Sequence, residues 1–181
     1  SASLNWFNMA TQVFVNVTNT KTTTVSGTAA VAGTPDNIGY IFFNRGDRAL
    51  SNLNSGTSSF TIIRDTGKLQ TGIQSFPAAS SVGQYTLIGN PYASAVDFDL
   101  LTLNNVARKF WTWDPNLNTN GGYVLVDGYT GSYITAPAAG YGSSVAQTQQ
   151  IQATQAFFVQ TTGAAAGVIF NETNKTANLN N

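Results

Sequence analysis

Flat aromatic side chains are the residues of this sequence best suited to hold a ligand, because their rings can pair with the apolar faces of pyranose sugars. Trp111 and Trp113 are two positions apart, so a strand through both places them on one face of a sheet. We favour the protein core for that face, with a sugar-binding platform as the alternative. In that alternative the two tryptophans are joined by Tyr129, Tyr133 and Tyr141, which lie in a glycine-rich stretch and are expected to be exposed.

Oxygen-bearing side chains at alternate positions after the second tryptophan resemble a calcium-binding loop, which uses carboxylates and amides at its first, third and fifth positions. They are Asp114, Asn116, Asn118 and Asn120. The match is incomplete, because glycine falls at the eighth position rather than the sixth and the twelfth residue is Leu125 rather than glutamate. A hairpin turn is the preferred interpretation. A weak calcium site is the alternative, and no other cofactor is expected.

The tripeptide Arg45-Gly46-Asp47 is one that integrins recognise in some extracellular proteins. We prefer a structural interpretation, in which Gly46 turns the chain after an apolar strand. Arg45 and Arg48 then pair with Asp47. Removing one partner of a partly buried pair would leave a costly unpaired charge, so these residues are expected to fix the turn.

Carboxylates are the remaining groups that can do chemistry, since two of them on either side of a glycosidic bond can hydrolyse it. Asp97 and Asp99 are close in sequence, but Asp97 fits the second position of a capping box that opens at Ser94, and Glu172 lies beside a polar tail. The chain has no histidine and no cysteine, which excludes histidine-based triads, thiol nucleophiles and zinc–thiolate sites. We therefore expect no enzymatic activity. A fragment of a glycoside hydrolase is the third interpretation of the function, after a non-enzymatic module and a carbohydrate-binding module.

Charge is scarce, with 8 basic and 8 acidic residues in a chain of 181. Nucleic acids and anionic membranes are bound through concentrated lysine and arginine, so neither is an expected partner. The sequence has no run of about 18 apolar residues, and we expect no direct insertion into a membrane. It has no recognisable secretory leader either, and we expect it to be part of a longer protein.

The elements that must position these residues are strands and sharp corners. An apolar run ends at Gly89-Asn90-Pro91, because Pro91 cannot donate to a strand ladder and restricts Asn90 to extended conformations. A strand is therefore expected to stop at Gly89. Asn90 and Pro91 are expected to form a structural turn there.

Beyond this corner, the sequence predicts one short helix followed by a long strand. Ser94 with Asp97 three residues later has capping-box spacing, which predicts a helix near residues 94–103. A new strand then begins near Val106 and carries both tryptophans into a turn at Asp114.

Short alternating segments separated by glycine, asparagine and proline occur along the whole chain. They predict about ten to twelve strands and an all-β fold, an antiparallel β-sandwich of the jelly-roll type. Residues 1–173 are expected to form a single domain, with a flexible polar tail over residues 174–181.

Seven short motifs follow one another in a distinctive order. They are Tyr40–Arg48, Gly67–Gly72, Leu87–Tyr92, Val96–Phe98, Trp113–Pro115, Gly122-Tyr123 and Gln155–Val159. In this order the chain resembles an uncharacterised extracellular β-domain that precedes the C-terminal sorting domain of adhesin-like Bacteroidota proteins exported by the type IX secretion system. Ala93 stands where members of that group often have proline.

This resemblance implies export to the cell surface or the medium, neighbouring modules of a larger protein as partners, and no established catalytic residues. The function we expect is therefore that of a non-enzymatic module used for adhesion or as a structural spacer. A carbohydrate-binding module with exposed tyrosine and tryptophan is the alternative, with a polysaccharide or a host or surface ligand as its partner.

Overall fold

The structure is a computed structural model that describes residues 3–19, 39–44, 62, 69–115, 117, 121–128, 134–136 and 147–177. In these residues the chain forms antiparallel sheets that pack as a β-sandwich, which confirms the all-β fold predicted from the short alternating segments. Two single-turn 3₁₀ helices are the helical elements found there. No helix in the described part of the chain is long and apolar enough to span a membrane.

Thirteen strands are present in the described residues, close to the ten to twelve predicted. They are β1 (Leu4–Asn8), β2 (Val13–Asn16), β3 (Tyr40–Phe42), β4 (Gln74–Pro77), β5 (Tyr85–Gly89), β6 (Val96–Asp97), β7 (Thr102–Asn104), β8 (Val106–Asp114), β9 (Gly122–Asp127), β10 (Ile134–Ala136), β11 (Gln150–Ile151), β12 (Ala156–Thr161) and β13 (Gly167–Phe170).

The main core lies between one face of a five-stranded sheet, ordered β10-β9-β8-β12-β5, and a three-stranded sheet, ordered β4-β13-β7. Alternation along β8 sends Phe110 into this core, where its ring lies 5.7 Å from that of Phe157 on β12. Phe170 of β13 comes from the opposite sheet and lies 6.4 Å from Phe157. Burying each such ring contributes about 1.5–3 kcal/mol, so these contacts hold the two sheets together.

A third sheet, ordered β2-β1-β3, packs on the outer face of the five-stranded sheet, the face turned away from the main core. Phe7 of β1 meets Phe158 of β12 edge to face, with ring centroids 4.9 Å apart. Gly39 donates its N–H to the Leu87 carbonyl at 3.0 Å, and a Cβ there would lie 2.5 Å from Leu87 Cγ. Only glycine permits this approach, so the chain enters β3 directly against the outer face.

The corner after β5 forms as predicted from Asn90 and Pro91. Asn90 is buried, and its Nδ2 donates to the carbonyls of Ser94 and Gln152 at 2.9 and 3.0 Å. Its Oδ1 accepts the N–H of Tyr92 at 3.0 Å. Pro91 leaves no N–H in need of a partner. The asparagine amide therefore ties the corner to the chain just before β12.

The helix predicted near residues 94–103 is a single 3₁₀ turn, Phe98–Leu100, and Ser94 does not cap it. Asp97 is the cap, since its Oδ1 accepts the N–H of Asp99 at 2.9 Å. The predicted cap is three residues too early. The reason is that Val96 lies in β6, which pairs with β11 and keeps the backbone extended beyond Ser94.

Residues 174 and 175, which the sequence assigns to a polar tail, belong to the packed structure. Asn174 is buried, and its Nδ2 donates to the Leu100 carbonyl at 2.7 Å. Lys175 forms a β-bridge with Val96. A buried partner of this kind cannot be recognised from polarity alone. Residues 178–181 lie outside the described residues.

Candidate functional site

Five aromatic rings stand together on the outer face of the five-stranded sheet, and we call them the aromatic face. They are Tyr85, Trp111, Trp113, Tyr123 and Phe158. The strand register brings them together, because Trp111 lies opposite Phe158 of β12 and Trp113 lies opposite Tyr123 of β9. The predicted placement of both tryptophans on one face is confirmed.

The rings of the aromatic face hold one another edge to face. Tyr85 meets Trp111 with centroids 5.1 Å apart and an interplanar angle of 80°. Trp113 meets Tyr123 at 5.1 Å and 82°, and Tyr123 meets Phe158 at 5.5 Å. Each edge-to-face pair contributes about 0.5–1.5 kcal/mol beyond its buried area. The orientations of the rings are therefore set before any ligand arrives.

The rings differ in how much of each reaches solvent. Trp113 is 47% exposed and Tyr123 is 37% exposed, whereas Phe158 is buried beneath its neighbours. Trp111 is half-buried. The preferred expectation that the tryptophans lie in the protein core is wrong for Trp113. The reason is that β8 turns Phe110 toward the main core, which leaves the tryptophans on the opposite side of the sheet.

Two clefts open where the third sheet approaches the aromatic face, and Tyr123 lines both. The first has a volume of about 570 Å³ and lies beside the β1–β2 hairpin; the second, about 250 Å³, lies beside β3. The first is lined by Phe7, Gln12, Gly83, Gln84, Tyr85, Trp111, Tyr123 and Phe158. The second is lined by Tyr40, Ile41, Phe42, Leu87, Thr112, Trp113, Tyr123, Gln155 and Ala156.

None of the described residues that line these clefts carries a charge. Lys109 and Asp127 lie outside the clefts, directly opposite each other on β8 and β9, and the ammonium of Lys109 lies 5.5 Å from the centroid of the Trp111 ring. Burial raises the pKa of Tyr123 to about 12. Its hydroxyl therefore remains protonated and neutral at physiological pH, and the site presents rings, amides and hydroxyls.

Gly121 determines where the indole of Trp113 can lie. A Cβ at residue 121 would fall 2.7 Å from Trp113 Cζ2 and 2.9 Å from Nε1. Gly121 also has a φ of +77°, a conformation that residues with a Cβ rarely adopt. The turn before β9 therefore leaves room for the indole of Trp113, because residue 121 has no side chain.

Of the four side chains of the predicted calcium loop, one belongs to the described residues. Asp114 ends β8 opposite Gly122 of β9 and is 2% exposed. This antiparallel pairing confirms the hairpin interpretation. Among the described residues, no three histidine, cysteine, aspartate or glutamate side chains are grouped so as to hold a metal ion. Calcium binding therefore stays a prediction that rests on the sequence.

Several of the predicted site residues lie outside the described part of the chain. They are Asn116, Asn118, Asn120, Tyr129, Tyr133 and Tyr141, together with Arg45, Asp47 and Arg48 of the predicted ion-paired turn.

The candidate catalytic carboxylates have structural partners. Asp99 forms an ion pair with Arg108, and Asp97 caps the 3₁₀ turn. Burial raises the pKa of Asp97 above its usual range. Glu172 accepts a hydrogen bond from the ammonium of Lys175, which is the largest cause of its lowered pKa, and another from the Gly72 N–H at 2.7 Å.

Sequence reasoning missed three rings of the aromatic face, Tyr85, Tyr123 and Phe158. Each occupies a strand position whose parity points to the outer face, which is a signal that the sequence contains. The proximity of Tyr85 and Phe158 to the tryptophans is not readable, because β5 and β12 reach the site through pairing between strands that are not neighbours along the chain.

Comparisons of the chain with protein-family models, with curated proteins and with solved structures found no match. The resemblance to the exported Bacteroidota domain therefore stays a prediction from the sequence motifs.

Proposed function

We propose that this chain is a non-enzymatic adhesion module of an exported bacterial surface protein, and that it holds its ligand on the aromatic face. The observation that carries the proposal is the solvent exposure of Trp113 and Tyr123 beside two clefts. Large rings clustered at an exposed surface mark binding sites, whereas single exposed apolar residues are ordinary.

The neutral character of the chain supports a role in binding rather than in reaction chemistry. Among the described residues that line the clefts, rings, amides and hydroxyls can position a ligand, and none is a carboxylate that could serve in acid–base catalysis. Asp99 and Glu172 are engaged by Arg108 and Lys175. A location outside the cell is supported by the order of sequence motifs and by the low content of charged residues.

Binding of the full chain to a panel of extracellular polymers and glycoproteins tests this function. We expect at least one ligand to bind, and Trp113→Ala to weaken its affinity by about tenfold or more. Phe43→Ala is the matched control, because Phe43 is another large exposed ring, outside the residues that line the clefts. Equal loss in both variants would contradict the proposal. Absence of any binding dependent on Trp113 would instead favour a structural spacer.

A further inference from the structure

We infer that the ligand of the aromatic face is a neutral, extended glycan that lies across Tyr123 and occupies both clefts; this inference rests on the proposed function. Tyr123 lines both clefts and is 37% exposed, so a ligand in one cleft can continue over its ring into the other.

The absence of charge among the described lining residues selects the class of glycan. A uronic acid or a sulfate group in either cleft would be partly desolvated with no cation among these lining residues to pair with it, which is costly. The ammonium of Lys109 lies over the ring of Trp111, but Lys109 does not line either cleft and lies opposite Asp127 in the strand register. A neutral polysaccharide has no charge to compensate.

The mixture of rings and polar groups fits a sugar chain. The apolar faces of pyranose rings can stack on Trp113 and Tyr123, while the amide of Gln84 and the hydroxyl of Tyr123 can exchange hydrogen bonds with sugar hydroxyls. Trp111 and Trp113 are two positions apart along β8, or about 7 Å. Contact with both therefore requires a ligand longer than a single sugar ring.

Addition of a peptide strand to β5 is disfavoured, because part of that sheet edge is already bonded. Peptides that add to a sheet use the unpaired backbone groups of an edge strand. At Tyr85 of β5 these groups are bonded to the side chain of Gln12, at 2.8 and 2.9 Å. Two residues further on, the Leu87 carbonyl accepts the N–H of Gly39. The backbone groups of β5 at Tyr85 and Leu87 are therefore not open to an added strand, whereas two rings of the aromatic face remain exposed.

Titration of the full chain followed by tryptophan fluorescence and calorimetry tests the inference. The probes are a neutral β-glucan, mannan and xylan, the acidic polysaccharides alginate and heparin, and an apolar proline-rich peptide. We expect a neutral polysaccharide to bind, its tetrasaccharide to bind at least about tenfold more tightly than its monosaccharide, and added salt to change the affinity by less than about twofold.

Variants assign the binding to this site. Trp113→Ala is expected to reduce affinity by about tenfold, whereas Phe43→Ala is expected to have no effect, with thermal melting confirming that both are folded. Preference for alginate or heparin, or for the peptide, with the same dependence on Trp113 would overturn the neutral-glycan inference and leave the adhesion function standing. Absence of binding to every neutral polysaccharide tested also overturns the inference. If no ligand of the wider panel binds in a way that depends on Trp113, both the neutral-glycan inference and the proposed adhesion function are overturned.

Discussion

The side-chain amide of Gln12 pairs with the backbone of Tyr85 as a neighbouring strand would. Its Oε1 accepts the Tyr85 N–H at 2.8 Å, and its Nε2 donates to the Tyr85 carbonyl at 2.9 Å. Because β5 is an edge strand of the five-stranded sheet, these two backbone groups would otherwise be open to another chain. One side chain therefore closes part of a sheet edge and holds the β1–β2 hairpin beside the aromatic face.

Replacing Gln12 with alanine is expected to lower the free energy of unfolding by about 2 kcal/mol, because two hydrogen bonds to the edge strand are lost. Denaturant unfolding measures this change. Gln74→Ala is the control, since its amide donates at an exposed position to the Thr71 carbonyl nearby, and we expect a loss below about 0.5 kcal/mol. Equal losses in the two variants would show that Gln12 does not have this role.

Replacing Asn90 with alanine is expected to cost about 3 kcal/mol, because the part-buried carbonyls of Ser94 and Gln152 and the buried carbonyl of Ile151 lose their donor. Asn90→Asp separates the two functions of the amide. It keeps the acceptor for the Tyr92 N–H but removes the donors, so it should also destabilise the protein at neutral pH. Thermal melting checks both variants, and a stable Asn90→Asp protein would contradict the donor role.

Replacing Gly121 with alanine should disturb Trp113 as well as the backbone. Its φ of +77° predicts a loss of stability of about 1 kcal/mol, and its Cβ would meet the indole at 2.7 Å. Gly72→Ala is the matched control, because Gly72 has a φ of +71° but a Cβ at that position would have no neighbouring atom within 4 Å. We expect similar melting temperatures, with a changed tryptophan spectrum and weaker ligand binding in Gly121→Ala alone.

Raising the pH should destabilise the protein through Tyr123. Burial raises the pKa of Tyr123 from 10.0 to about 12, so the folded state holds this proton more tightly than the unfolded state. The resulting stabilisation is fully present below pH 10.0 and is lost progressively as the pH rises toward about 12. Burial also raises the pKa of Tyr92, which acts in the same direction.

Unfolding experiments across this pH range should therefore show a falling midpoint, and Tyr123→Phe should make the fall less steep. Tyr85→Phe serves as the comparison, since Tyr85 belongs to the same aromatic face. A slope that is unchanged in Tyr123→Phe would contradict the assignment of this titration to Tyr123.

Local features of the sequence predict local features of the fold. Alternation predicts β8 and its end at Asp114, and the restricted backbone around Pro91 predicts the end of β5 at Gly89. These predictions succeed because backbone conformation at corners and side-chain parity along a strand depend on neighbouring residues. The prediction of a cap at Ser94 rather than Asp97 is wrong because a pairing with β11, a distant segment, keeps the intervening residues extended.

Side-chain alternation with a period of two, which is readable from the sequence, places Trp111 and Trp113 on one face of a strand. The sequence does not show which face of the strand is buried against another sheet, because that depends on how the sheets pack together. The packing of the sheets places Phe157 in contact with Phe110 and Phe170 on the inner side, and strand pairing brings Phe158 to Trp111 on the outer side. The physical reason is that burial is a property of contacts between segments that are distant along the chain, whereas parity is a property of the segment alone.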